Sequence, residues 1–445
     1  MMTLILPFFF VGLAVLAFVL TGLVVDFYLF SRRKALSWNG PFLLGLGMGT
    51  VGLGQLFLGW LKIPLSQTVV LALFLGLGLP LVMDARLVRL IKQKARNSWQ
   101  NMTLVTVAIW IGLGLLLVVT AGLTFSHTIW GSDAYVFWLA KASAFFQDGL
   151  VTRENLFVYW PYDHPLLWPL IATWVYHFLG KVDEYYFQMI PFVLYAALAV
   201  AFFQGLSGSA GRKTLWTILL LLSPFVYHNV LASEYAGNAD LLVSFYLLLG
   251  VVFLVKREVW LGGLFLFFAS FAKNDALPAV IGFLVLLPLL RHHFRKTWQW
   301  GWLGVAGFLI AHWLWKTHLG LSSRYLANLP LILGQRLLLP NVWYTTNAFR
   351  EELRQISHWG MGWWLILFVL ATEVKQLFHQ KRLILAFGIL VFQLAGYFLI
   401  YYLTPEDQAS QIATSIHRLV LQLYPTSLYL AARVGYNKRN YAYRN

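Results

Sequence analysis

The sequence predicts an all-α, polytopic membrane protein with about 13 transmembrane helices and additional surface-lying helices in two long outer loops. Three observations predict it. Of 445 residues, 60% are apolar and only 11% charged, with a mean hydropathy of +0.69, whereas soluble chains carry about 25% charge. The apolar residues are gathered into long runs, and one crossing needs roughly 20 of them. Those runs are apolar all round, without the alternation of a membrane β-barrel strand. Cys is absent, so disulfides, thiolate nucleophiles and Cys-ligated metals are excluded.

The first run, 4–30, lacks a basic start and a small-residue cleavage site, so it is expected to be a retained span rather than a removed signal. Further spans are expected at 41–60, 64–83, 103–125, 186–206, 215–231, 240–255, 258–272, 276–290, 299–315, 359–371, 383–402 and 417–434. A fourteenth run, 164–180, is decided by the distribution of basic residues, which favours the cytoplasmic side. If it does not cross, the strongly basic connections, among them Arg32-Arg33-Lys34 and Lys256-Arg257, share one side. It is therefore expected to be re-entrant or to lie at the outer interface.

The net charge of +16 then separates by side. The inner side holds 22 Lys+Arg and 4 acids, and the outer side 11 Lys+Arg and 13 acids. The positive excess thus reads as an insertion signal, not as a nucleic-acid footprint. Chemistry is expected outside, in loops 126–185 and 316–358. The chain divides on this reading into a three-span extension, 1–102, a membrane domain, 103–434, and a basic cytoplasmic tail, 435–445.

Within the first loop, Asp133 precedes Ala134-Tyr-Val-Phe-Trp138-Leu-Ala-Lys141. Ser132 or Asp133 would serve as a helix N-cap, or Asp133 as a general base at the membrane surface. Asp163-His164-Pro165 opens the non-crossing run, where Asp163 could simply cap a helix that Pro165 begins. Glu234-Tyr-Ala-Gly237-Asn238-Ala-Asp240 and Lys273-Asn274-Asp275 are outer turns, and Arg418 stands at the outer start of the last span. Lys and Arg at such places either snorkel toward lipid phosphate or hold an anionic ligand.

The succession of Asp133, His164-Pro165-Leu166-Leu167, the acidic Gly-containing turn, Lys273-Asn274-Asp275-Ala276 and Arg418 resembles the GT-C superfamily of polytopic glycosyltransferases. It is most similar to the branch of the dolichyl-phosphate-mannose protein mannosyltransferases and the bacterial aminoarabinose-lipid A transferases. The resemblance covers roughly 103–434. The second Pro of that family's His-Pro-Pro-Leu motif is absent, and Ala276 replaces a Gly.

The resemblance implies an inverting transfer of a sugar from a polyprenyl-phosphate donor to an acceptor hydroxyl on a glycan, lipid or protein. It places the enzyme in a bacterial inner (plasma) membrane with the site on the extracytoplasmic side. Asp133 would be the base, and Lys273 and Arg418, backed by Arg324, would meet the donor phosphate. Asp163, His164, Glu234, Asp240, Trp138 and Lys141 would bind sugar or acceptor, or orient Asp133. No cofactor is required by these residues; a divalent metal is left open, because no ligand spacing is recognisable. Membrane lipids are the expected surroundings and no nucleic acid is expected. A transporter or a lipid or glycan flippase is the alternative, though it would want ionisable groups at mid-membrane.

Overall fold

The structure is a computed structural model. It describes residues 2–30, 40–70, scattered positions between 72 and 92, and residues 104–131, 133–157, 163–232, 234–294, 298–321, 339–404 and 407–442. Among these the regular structure is entirely helical, with no strand. The expected boundary at 102/103 lies outside the described residues, as does most of the expected span at 64–83.

Among the described residues, four helical segments are long and apolar enough to cross a membrane: Leu6–Leu29, Gly40–Trp60, Glu184–Gly205 and Lys381–Tyr402. A fifth is reached if Ala210–Leu221 and Pro224–Leu231, bent by 60° at their junction, form one span. Six further apolar helices are shorter, including Asp240–Val255 and Val259–Ala272. At 1.5 Å rise per residue, a helix of 14 to 16 residues extends only about 21–24 Å, less than the ~30 Å hydrocarbon thickness.

The chain forms two compact units. Unit 1 comprises 1–160, 166–201 and 229–238; unit 2 comprises 161–165, 202–228 and 239–445.

Unit 1 begins with an antiparallel pair, α1 (Met2–Val25) and α2 (Gly40–Trp60). A Cβ at Gly22 would strike the Leu43 carbonyl, and one at Gly47 the Phe18 carbonyl. Glycine at both places lets the two backbones touch, the way apolar helices associate where water supplies no hydrophobic drive between them. After α3 (Leu104–Thr124) come a π-helical stretch, Ala134–Leu139, and α4 (Ala140–Asp148), which ends at Gly149 with φ +66°.

The run expected not to cross forms α5 (Leu167–Leu179). Twelve of its thirteen residues are buried within the protein. Its apolarity is thereby explained by protein neighbours: Gln55 of α2 donates to the Leu170 carbonyl at 3.0 Å, and Thr173 to the Ala142 carbonyl at 3.2 Å. Neither Asp163 nor Pro165 opens this helix; Leu166 occupies the N-cap position.

The core of unit 2 is the hairpin α6 (Asp240–Val255) and α7 (Val259–Ala272). All 16 residues of α6 are buried. Gly250 and Gly262 face one another's helix, each leaving room for a leucine of the partner, Leu266 and Leu254 respectively. Lys273-Asn274-Asp275 then turns the chain into α8 (Leu277–Leu289). α9 (Trp298–His318) packs on α7; α10 (Lys381–Leu403) and α11 (Gln408–Ala442) complete the bundle. Between α9 and α10 in sequence lie α12 (Leu339–Arg354) and the single turn Ile356–Trp359, so most of the described part of the second long loop is helical.

Candidate functional site

Unit 2 gathers the cations singled out in the sequence around one carboxylate. Asp240, at the first position of α6, is fully buried. Its Oδ1 accepts from Lys273 Nζ at 2.9 Å and from Gln422 Nε2 at 2.6 Å, and its Oδ2 accepts from Arg418 Nε at 2.8 Å. Gln422 is oriented in turn, since its Oε1 accepts from the Tyr397 hydroxyl at 2.6 Å. Arg418 and Gln422 are four residues apart on α11, so one helical face delivers both.

Lys273 ends α7 in an extended conformation, which swings its side chain back to Asp240 and forward to Asp275, 2.7 Å from Nζ. Burial alone would lower its pKa, but the carboxylates of Asp240 and Asp275 outweigh that and hold the ammonium above its ordinary value. Two cations near one buried carboxylate would otherwise repel; here each is charge-compensated. Asp240 therefore acts as the clamp that positions Lys273 and Arg418, with no surface of its own left for a ligand.

A third cation was not singled out by the sequence. Lys316, just beyond the run 299–315, donates to the Asp163 carbonyl at 2.8 Å and to Asn274 Oδ1 at 3.2 Å. Both acceptors are neutral, so two of its three N–H donors are used without an ion pair among the described residues. Burial pushes its pKa down to about 8, with the Asp163 carboxylate opposing the shift. Asn274 completes the link by donating to the same Asp163 carbonyl at 3.3 Å. No sequence motif marks Lys316, because what distinguishes it is the charge of its neighbours.

Asp163 is buried, and His164 beside it has Nδ1 3.8 Å from Asp163 Oδ1. Unit 2 also holds a dyad absent from the sequence reading: Glu352, buried, accepts at Oε1 from Trp359 Nε1 at 3.0 Å and lies 2.8 Å from His358 Nδ1. Arg324 lies outside the described residues.

The remaining sequence candidates fall in unit 1. Asp133 has helical backbone angles and makes no side-chain cap bond, so its N-cap explanation does not hold. Ser132 lies outside the described residues. The π-helical stretch directly after Asp133 belongs to a rare geometry that recurs at functional sites. A Cβ at Gly131 would collide with the Glu234 carbonyl, and one at Gly237 would crowd Ala134. The segments bearing Asp133 and Glu234, a hundred residues apart, are thus in backbone contact. Trp168 fastens the second of them by donating to the Gly237 carbonyl at 2.7 Å. Glu234 is exposed and Asp133 partly so, whereas Trp138 and Lys141 point into the interior of the unit and are fully buried.

No family model, curated protein or solved structure matches the chain. Among the described residues no group of three His, Cys, Asp or Glu side chains is placed to hold a metal.

Proposed function

We propose that the chain is a membrane glycosyltransferase that moves a sugar from a polyprenyl-phosphate donor to an acceptor hydroxyl at the extracytoplasmic face, with inversion. The observation that carries this reading is the convergence of Lys273 and Arg418 on the buried Asp240, with Lys316 nearby on neutral acceptors. A departing phosphate needs cations fixed in advance, because charge stabilisation works best when no reorganisation accompanies the reaction. Asp240 fixes the two cations, and Lys316 contributes positive charge whose hydrogen-bond acceptors, among the described residues, are the neutral Asp163 carbonyl and Asn274 Oδ1.

In this reading the acceptor oxygen attacks the anomeric carbon, the carbon–oxygen bond to phosphate breaks with its electron pair, and Asp133 receives the acceptor proton. General-base assistance of this kind contributes about 10²- to 10⁴-fold. Glu234 and Asp163 would bind sugar hydroxyls. On this reading 13 spans would cross a bacterial inner membrane, with the basic connections and C-terminal tail in the cytoplasm and the helices of both long loops at the outer surface. The similarity of the ordered motifs to GT-C enzymes supports the same assignment.

The test is mass spectrometry of envelope glycans and lipids from cells with and without the gene, complemented by wild type or by Asp133→Asn. One sugar should disappear on deletion, return with wild type and stay absent with the variant. An unchanged profile on deletion overturns the transferase reading, and full restoration by Asp133→Asn overturns the base assignment alone.

A further inference from the structure

Far along the chain from Asp240, unit 2 gathers five cations that no acid answers. Lys213 stands in the first turn of the helix Ala210–Leu221, Lys256 and Arg257 follow α6, Arg382 is the second residue of α10, and Arg433 lies on α11. Four separate segments bring this charge together: Arg433 repels Lys213, Lys256 and Arg382, Lys213 repels Lys256, and Arg257 repels Arg382.

The partners of these side chains among the described residues do not neutralise them. Arg433 Nη1 donates to the Ser207 hydroxyl, and Arg382 Nη1 to the Val255 carbonyl at 3.2 Å. Lys213 and Lys256 hold Nζ over the rings of Phe203 and Phe253, 5.5 and 5.9 Å from the centroids. Glu258 and Glu373, the acids of the adjoining connections, form an ion pair with none of the five among the described residues.

Two features set this cluster apart from charge that only orients a chain. Lys213, Arg382 and Arg433 are half-buried, so their repulsion is screened less than it would be at a free surface. The helices that carry Lys213 and Arg382 also begin here without an acid in the first turn and without a side-chain cap bond. Cations are disfavoured at that end, because the helix dipole is itself positive there. A bound anion relieves both costs.

The neighbouring surface favours an anion carried by a lipid over one free in water. Leu215, Ile218, Leu219 and Leu222, along the helix Ala210–Leu221 and at its cap, are exposed, and their helical spacing puts them on one face. Arg212 precedes Leu215 by one turn on that face, so the apolar stripe starts beside the cations. Basic pockets between apolar helices suit headgroups that carry several phosphates.

We propose that Lys213, Lys256, Arg257, Arg382 and Arg433 bind the headgroup of a phospholipid carrying two phosphates, with its acyl chains along the Leu215 to Leu222 face. The site goes beyond the transferase reading and uses none of Asp133, Lys273 and Arg418.

Native mass spectrometry decides this on the full chain, released from micelles containing cardiolipin and phosphatidylcholine in equal amounts, or inorganic phosphate alone. Wild type should retain cardiolipin at least tenfold over phosphatidylcholine. Lys213→Gln with Lys256→Gln should lower cardiolipin retention at least tenfold. Arg291→Gln with Lys375→Gln, which removes equal charge from connections assigned to the same side, should leave it unchanged. No preference in wild type, or equal loss in both variants, overturns the proposal, and inorganic phosphate held as strongly as cardiolipin overturns the lipid assignment. Because Lys213→Gln with Lys256→Gln removes repulsion, its Tm without cardiolipin should equal or exceed that of wild type, and added cardiolipin should raise the Tm of wild type alone. A lower Tm for this variant in cardiolipin-free micelles overturns the electrostatic basis of the site. None of these readouts involves sugar transfer, so they stand or fall apart from the glycan profiles.

Discussion

In unit 2 a carboxylate with no exposed surface, Asp240, is met by an ammonium, a guanidinium and an amide within 3 Å. In unit 1 the similarly buried His177 meets no hydrogen-bonding partner among the described residues. The difference follows from charge. An ionised group withdrawn from water must be paired in the same fold or it neutralises itself. A neutral imidazole carries a smaller penalty and can be enclosed without an ionic partner. The two units thus illustrate two ways a polar side chain is buried: a carboxylate held among paired cations, and a neutral imidazole packed against the Phe146 ring.

The largest test breaks the first arrangement. Asp240→Ala should leave Lys273 and Arg418 buried beside one another and cost about 3–5 kcal/mol, as removal of one partner from a buried pair does. Thermal unfolding of the purified chain should register this. The triple substitution Asp240→Leu, Lys273→Met, Arg418→Leu should recover most of the stability while removing the proposed phosphate contacts. If Asp240→Ala unfolds like the wild type, charge pairing is not what organises unit 2.

A smaller effect is expected from packing in unit 1. Gly131→Ala places a methyl against the Glu234 carbonyl, which as backbone cannot rotate away. Overpacking of this sort costs about 1–3 kcal/mol. Because the same contact sets the spacing of the Asp133 and Glu234 segments, envelope glycan profiles of the variant should, on the proposed transferase reading, be depleted of the same sugar that deletion removes. A silent Gly131→Ala would mean that the two segments separate without consequence.

The smallest effect marks the lower bound of the comparison. Lys181 and Asp183 in unit 1 lie 2.7 Å apart, with the lysine side chain 56% exposed. Solvent screens such a pair, so Lys181→Ala should change stability by about 0–1 kcal/mol in the same unfolding experiment. A cost comparable to that of Asp240→Ala would show that exposure does not separate the two kinds of ion pair.

Much of the fold was legible because apolar runs without alternation admit only helices in a membrane. The length of each helix was less so. The runs at 240–255 and 258–272 form helices shorter than the bilayer core, and only four or five helical segments of the described chain are long enough to span it. An apolar run does not distinguish a lipid-facing helix from one surrounded by protein, which is why α5, read from sequence as re-entrant or interfacial, is found buried among α2 and α4. At the candidate site, Asp240, Lys273 and Arg418 stood out individually as charges where charge is costly. Lys316, His177 and the Glu352–His358 dyad did not stand out, because their interest lies in which neighbours they have or lack.

The sequence by itself determined the helical class, the gathering of acids in the connecting segments and the choice of Asp240, Lys273 and Arg418 as residues needing an explanation. Periodicity and charge density are local properties, and a single chain carries them in full. Only the tertiary structure decided that Asp240 clamps both cations across separations of 33 and 178 residues. It also decided that Lys316 rests on neutral acceptors and that His177 is buried against Phe146. Pairing and burial are properties of neighbours distant in sequence, fixed only when the helices pack.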